Sequence, residues 1–111
     1  MDADRIKLYR DNVDKPYQEG LRLFALGKYR EASEQFKIVV SVAPTHSDAK
    51  LKFDEANLKY TELIEGLYSE MVGYFSKTDF ITVINLCDTI LLSAVDYKDV
   101  KDYQIKSKRL L

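Results

Sequence analysis

The chain has 111 residues, of which 46% are apolar and 32% charged, a balance that excludes a disordered tail and suffices for one packed domain. Against 18 acidic residues stand 17 basic ones, and no Lys/Arg cluster forms a stripe able to track a phosphate backbone, so no nucleic-acid partner is expected. No apolar run approaches the ~18–20 residues that span a bilayer, the start MDADRIKLYRDN lacks the apolar core of a secretory signal, and 4 glycines with 2 prolines give too few turns for an all-β fold.

Taken in order, residues Ala3 to Asn12 read as a helix with Ile6, Tyr9 and Val13 on its inner side. Pro16 removes a backbone donor, and Asp14 before it is a helix-start residue. A break or sharp kink is therefore predicted at Asp14–Pro16, with a fresh helix running to Leu26. Gly27 makes a turn, a second helix spans about Lys28 to Val42, and Pro44 stops it. Thr45 or Ser47 then caps a long helix from about His46 to Ser76. Its apolar stripe is Ala49, Phe53, Ala56, Tyr60, Leu63, Leu67, Met71 and Tyr74, in steps of three and four that keep one face in register over roughly 45 Å. Gly66 and Gly73 are sites where that helix could kink.

Thr78 or Asp79 starts the next helix, about Asp79 to Ser93, with Ile81, Val83, Ile84, Cys87, Ile90, Leu91 and Ala94 on its buried side. The β-branched run ITVI would also suit a strand, but the apolar spacing is helical. Residues Tyr97 to Leu111 match the first half of the long helix.

These elements repeat. Shifted by 51 residues without a gap, Tyr9 falls on Tyr60, Tyr17 on Tyr68, Phe24 on Phe75, Tyr29 on Phe80, Ala32 on Val83, Val39 on Ile90 and Ala43 on Ala94. Thr45 and Asp96, both cap formers, also coincide. The reading is one all-α domain over 1–111: unit one at 1–44, unit two at 45–94 and a partial third unit at 95–111, with about five to six helices in stacked antiparallel hairpins. The sequence stops at SKRLL, halfway through a unit, which on the capping argument suggests a segment of a longer protein.

Gly20, Gly27, Tyr29, Ala32, Phe36 and Pro44 carry a likeness to a known family. A small residue in the first helix, a glycine two before an aromatic, an alanine where helices touch, a second aromatic and a closing proline resemble the tetratricopeptide repeat. The resemblance covers Val13 to His46 and is degenerate over Ile64 to Tyr97, where Met71, Thr78, Val83 and Cys87 replace the first glycine, the turn glycine, the alanine and the second aromatic. Pro16 and Glu19 also depart from the family pattern. A period 17 residues longer than the family's 34 implies a first helix extended backwards by close to five turns.

The resemblance implies a right-handed solenoid and a non-catalytic scaffold or adaptor that binds another protein or peptide. In that family partners lie against the first helices, which points to Tyr17, Leu21 and Phe24 and their counterparts Tyr68, Val72 and Phe75 as partner-binding residues. Aromatic residues at helical spacing also pack cores, so both roles stay open for this set. The family's carboxylate clamp uses lysine and asparagine on this face; tyrosine and leucine stand here, so a groove would favour apolar or aromatic side chains.

His46 has no metal-ligand companion on its face, and Cys87, the one cysteine, lies on an apolar face without a base beside it. Carboxylates interleave with Lys and Arg, as in Asp48–Lys52 and Glu55–Lys59, and read as solvated helix surface. No phosphate loop or nucleophile motif occurs, so neither an enzyme nor a bound metal or cofactor is expected. The alternative to an adaptor is a structural spacer with the long helices as struts, or a self-association segment, a homo-oligomer whose apolar ends take a neighbour.

Overall fold

The computed structural model describes residues 3–111; Met1 and Asp2, where the first unit of the sequence reading begins, lie outside them. Among the described residues every regular element is helical, and the chain is all-α. The elements are α1 (Ala3–Tyr9), a π-helical turn (Arg10–Asp14), α2 (Lys15–Ala25), α3 (Tyr29–Val42), α4 (Ser47–Ser76), α5 (Phe80–Ser93) and α6 (Val100–Leu110). Contacts gather into two compact units, one ending at Tyr60 and the other Thr61–Leu111, and α4 contributes residues to each.

A break or sharp kink is expected at Asp14–Pro16; the helix does not break there, and a π-helical turn stands just before Pro16. Asp14 is helical (φ −63°, ψ −47°), its side chain caps nothing, and α1 runs through the π-turn into α2. The Lys15 amide donates to the Arg10 carbonyl, five residues back. Pro16 has no N–H, and its ring crowds the carbonyl four residues before it, that of Asn12. Widening the preceding turn by one residue relieves that crowding while the helix continues. Asn12 Nδ2 donates to the Leu8 carbonyl at 2.9 Å, satisfying an acceptor in the disturbed stretch.

In the first unit α2 and α3 form the hairpin, turned by Gly27 at φ +77°, a left-handed conformation that glycine adopts without strain. Leu23, Ala32, Phe36 and Ala56 make one buried cluster, so the first half of α4 closes the hairpin. A second cluster joins Val13, Val39 and Ala49. Phe36 and Val39 are wholly buried, each worth about 2–3 kcal/mol of transfer free energy. Gly20 explains how the ring fits: a Cβ there would lie 2.6 Å from Phe36 Cε1, so the ring lies flush on the bare backbone of α2.

The second unit is built on the same plan. Among the described residues, every buried position except Leu23 has a buried counterpart 51 residues away: Val13/Ile64, Gly20/Met71, Ala32/Val83, Phe36/Cys87, Val39/Ile90, Ala49/Val100 and Ala56/Ser107. The turns repeat as well. Thr78, at Gly27's position, is held at φ +61°, and Lys28 and Asp79 share φ −87°. The Lys28 amide donates to Leu23 and the Asp79 amide to Tyr74, at 2.9 and 3.1 Å. Phe24 meets Tyr29 edge-on at 5.2 Å, and Phe75 meets Phe80 edge-on at 5.6 Å.

Several expectations on faces and caps need correction. Ile6 and Tyr9 are about half exposed, and of the three residues expected on the inner side only Val13 is buried. In α4, Leu63 and Tyr74 face outward while Ile64 takes the buried place; the buried series is Ala49, Ala56, Ile64, Met71. Steps of seven and eight follow a narrower stripe than the steps of three and four expected. Ile81 on α5 is exposed. Lys52 pairs with Glu55 at 3.4 Å, three residues on, in place of the i,i+4 pairs Asp48–Lys52 and Glu55–Lys59 expected. Helix α4 continues through Gly66 and Gly73. Its N-terminus is capped by His46, whose Nδ1 accepts from the Ala49 amide at 3.0 Å, and not by Thr45 or Ser47. Asp96 does not begin α6, which starts at Val100 after Lys98 at φ +42° and Asp99.

Candidate partner-binding face

Tyr17, Leu21 and Phe24 follow one another at steps of four and three on α2, which places them on one side of the helix. All three are half-buried and pack on the cluster of Leu23, Ala32, Phe36 and Ala56. Tyr17 lies 5.9 Å from Phe36 and 4.9 Å from the imidazole of His46. Lys52 Nζ stands 4.7 Å over the Phe24 ring, a cation–π contact from the first half of α4.

In the second unit Tyr68, Val72 and Phe75 occupy the same steps on α4, again half-buried. Tyr68 meets Tyr97 at 5.8 Å, and Tyr103 of α6 lies 5.0 Å from Phe75 and 6.4 Å from Tyr68. Lys98 Nζ stands 4.6 Å over the Tyr68 ring. The Tyr68 hydroxyl donates to Asp99, and this bond, followed by burial and the Asp99 charge, pushes the phenol up to about 12.

The first triplet thus forms the edge of a hydrophobic cluster, and Tyr68 and Phe75 of the second pack against the rings of neighbouring residues. Part of every ring serves packing and part meets solvent. The structure adds neighbours that the sequence reading omitted: His46 and Lys52 in the first unit, Tyr97 and Tyr103 in the second. The repeat itself carried the signal, since His46 falls on Tyr97 and Lys52 on Tyr103. His46 is half-buried, its ring lying against that of Tyr17.

The first unit also has an open cleft of about 410 Å³ where the end of α3 meets α1 and the π-turn, lined chiefly by Leu8, Tyr9, Val13, Val42 and Ala43. Leu8 is 60% exposed and Val42 53%. Along the outer side of α2, Glu19 and Arg22 pair, and the guanidinium holds the Glu19 carboxyl below the usual range.

The Cys87 thiol is buried, and burial, reinforced by Asp88, pushes it up to about 11. It is a protonated packing group at neutral pH. Among the described residues no three His, Cys, Asp or Glu side chains are placed to hold a metal ion. No described helix is long and apolar enough to cross a membrane. Compared with family models, with curated proteins and with solved structures, the chain matches none of them.

Proposed function

We propose that this protein is a non-catalytic scaffold or adaptor built from tetratricopeptide-like hairpins, which holds another protein or peptide against Tyr17, Leu21 and Phe24 and against Tyr68, Val72 and Phe75. The observation that carries the reading is the 51-residue recurrence of buried positions, turn dihedrals and ring contacts. Repeated units of this kind cannot bury their apolar faces alone, and stacking is the arrangement that does so. Half-buried aromatic rings along one helix face suit a partner that brings apolar or aromatic side chains.

Selection of peptides from a displayed library against the whole chain supplies a ligand for the test. Leu21→Ala and Val72→Ala should then weaken the selected peptide at least tenfold, with the urea midpoint little changed. Parallel loss of affinity and stability would make the triplets core and end the reading.

A second reading, self-association, draws on the cleft beside α1, where Leu8, Tyr9 and Val42 leave apolar surface open to water. Light scattering across a hundredfold concentration range separates the two. A constant monomer mass favours the adaptor, and a concentration-dependent dimer favours association.

A further inference from the structure

We infer that α6 is a releasable internal strap: it occupies the aromatic face of Tyr68 and Phe75 with its own Tyr103, and is held weakly enough to leave before the rest of the second unit opens. The inference rests on the reading of that face as a partner site.

Occupancy is direct. Tyr103 lies against both Phe75 and Tyr68, while Tyr97 and Lys98, just ahead of α6, also contact the Tyr68 ring. These groups offer what an external ligand of this face would offer: an aromatic ring on a helix, and a cation over a phenol.

The weakness has three sources. Ser107 is wholly buried, and its Oγ has no hydrogen-bond partner among the described residues. Its counterpart in the first unit is Ala56, which fills the same place without a polar atom. An unsatisfied buried hydroxyl favours states in which water reaches it. Lys98 is held at φ +42°, a conformation that side chains other than glycine's strain to adopt. Asp99 stands at the N-cap of α6 without capping it; the bond that its carboxylate accepts from the Tyr68 hydroxyl is a polar tie between α4 and the start of the strap. That tie and the two others, Gln104 to Asp88 and Lys101 to Asp96, are solvent-exposed.

Release would uncover Cys87. α5 packs on α6, and Cys87 and Ser107 are the counterparts of Phe36 and Ala56, which share one buried cluster. The thiol is therefore the reporter. In the full chain, Cys87 labelling by a disulfide reagent is compared with global unfolding followed by circular dichroism. Labelling should run at least tenfold faster than global unfolding allows. Ser107→Ala should slow it about five- to tenfold by removing the unsatisfied hydroxyl, and Gln104→Ala should speed it severalfold. Gly27→Ala, which strains the first unit's turn, should leave it unchanged. Labelling that accelerates with Gly27→Ala in step with lost stability, or that ignores Ser107→Ala, overturns the strap. These rates are read without any partner, so their failure is distinct from failure of a peptide to bind.

Discussion

Gly20 and Gly27 must both be glycine, for different reasons. Gly27 sits at φ +77° with open space around it, so alanine there meets backbone strain and no clash. Gly20 has an ordinary helical backbone, but the Phe36 ring leaves no room for a methyl. Gly66 and Gly73 have neither constraint, since nothing lies within 4 Å of the position a Cβ would take. Urea denaturation should therefore divide the four. Gly66→Ala and Gly73→Ala each raise stability by about 0.5–1 kcal/mol, from helix propensity alone. Gly27→Ala lowers it by about 1 kcal/mol, and Gly20→Ala by roughly 1–3 kcal/mol through overpacking. Thr78→Gly, the reverse experiment at φ +61°, should stabilise by about 1 kcal/mol.

At the scale of the element, the turn leading into α6 has a titration signature. The folded chain holds the Tyr68 phenol near 12, against 10.0 for an unperturbed tyrosine. A raised folded value means the neutral phenol is the form that folding favours. The stabilisation from this bond is complete below pH 10 and is lost between about pH 10 and 12, as the unfolded chain ionises first. Absorbance titration near 295 nm should show one late tyrosine, absent in Tyr68→Phe.

The elements themselves were legible because the apolar period is strong: the hairpin turns at Gly27 and Thr78 and the stop at Pro44 fall where the spacing puts them. The π-turn was not legible, because a proline mid-helix has two outcomes, a break or a widened turn, and local sequence does not separate them. The His46 cap was hidden for a similar reason. Thr45 and Ser47 have the stronger cap propensity, but the tilted contact of its ring with Tyr17 places His46 where its Nδ1 meets the Ala49 amide. The candidate face was half legible. Steps of four and three put each triplet on one side, whereas the covering residues Lys52 and Tyr103 belong to helices brought in by tertiary packing.

For the whole molecule, the repeat acts as an internal control on what the fold requires. Leu8 and Val42 border the cleft of the first unit, and their counterparts 51 residues on are Lys59 and Ser93. The architecture accommodates polar groups at both places, so the apolar pair in the first copy is not needed for folding. Leu8→Lys with Val42→Ser should change stability by no more than about 0.5 kcal/mol. If the chain self-associates, light scattering should find the double variant monomeric; a dimer that survives it is formed elsewhere.

A polypeptide that carries two versions of one motif runs the hazard of pairing a helix with the wrong copy's mate as it folds. Here bulk has changed sides between the versions: bare backbone at Gly20 takes the ring of Phe36, whereas the two corresponding buried positions hold Met71 and the slender Cys87. A crossed pairing would set thioether against benzene ring in one place and leave a hollow between glycine and thiol in the other. Such mismatches cost roughly 1–3 kcal/mol for crowding and more for a void, so the asymmetry proofreads assembly, and a chain given identical hairpins should refold with a larger misfolded fraction.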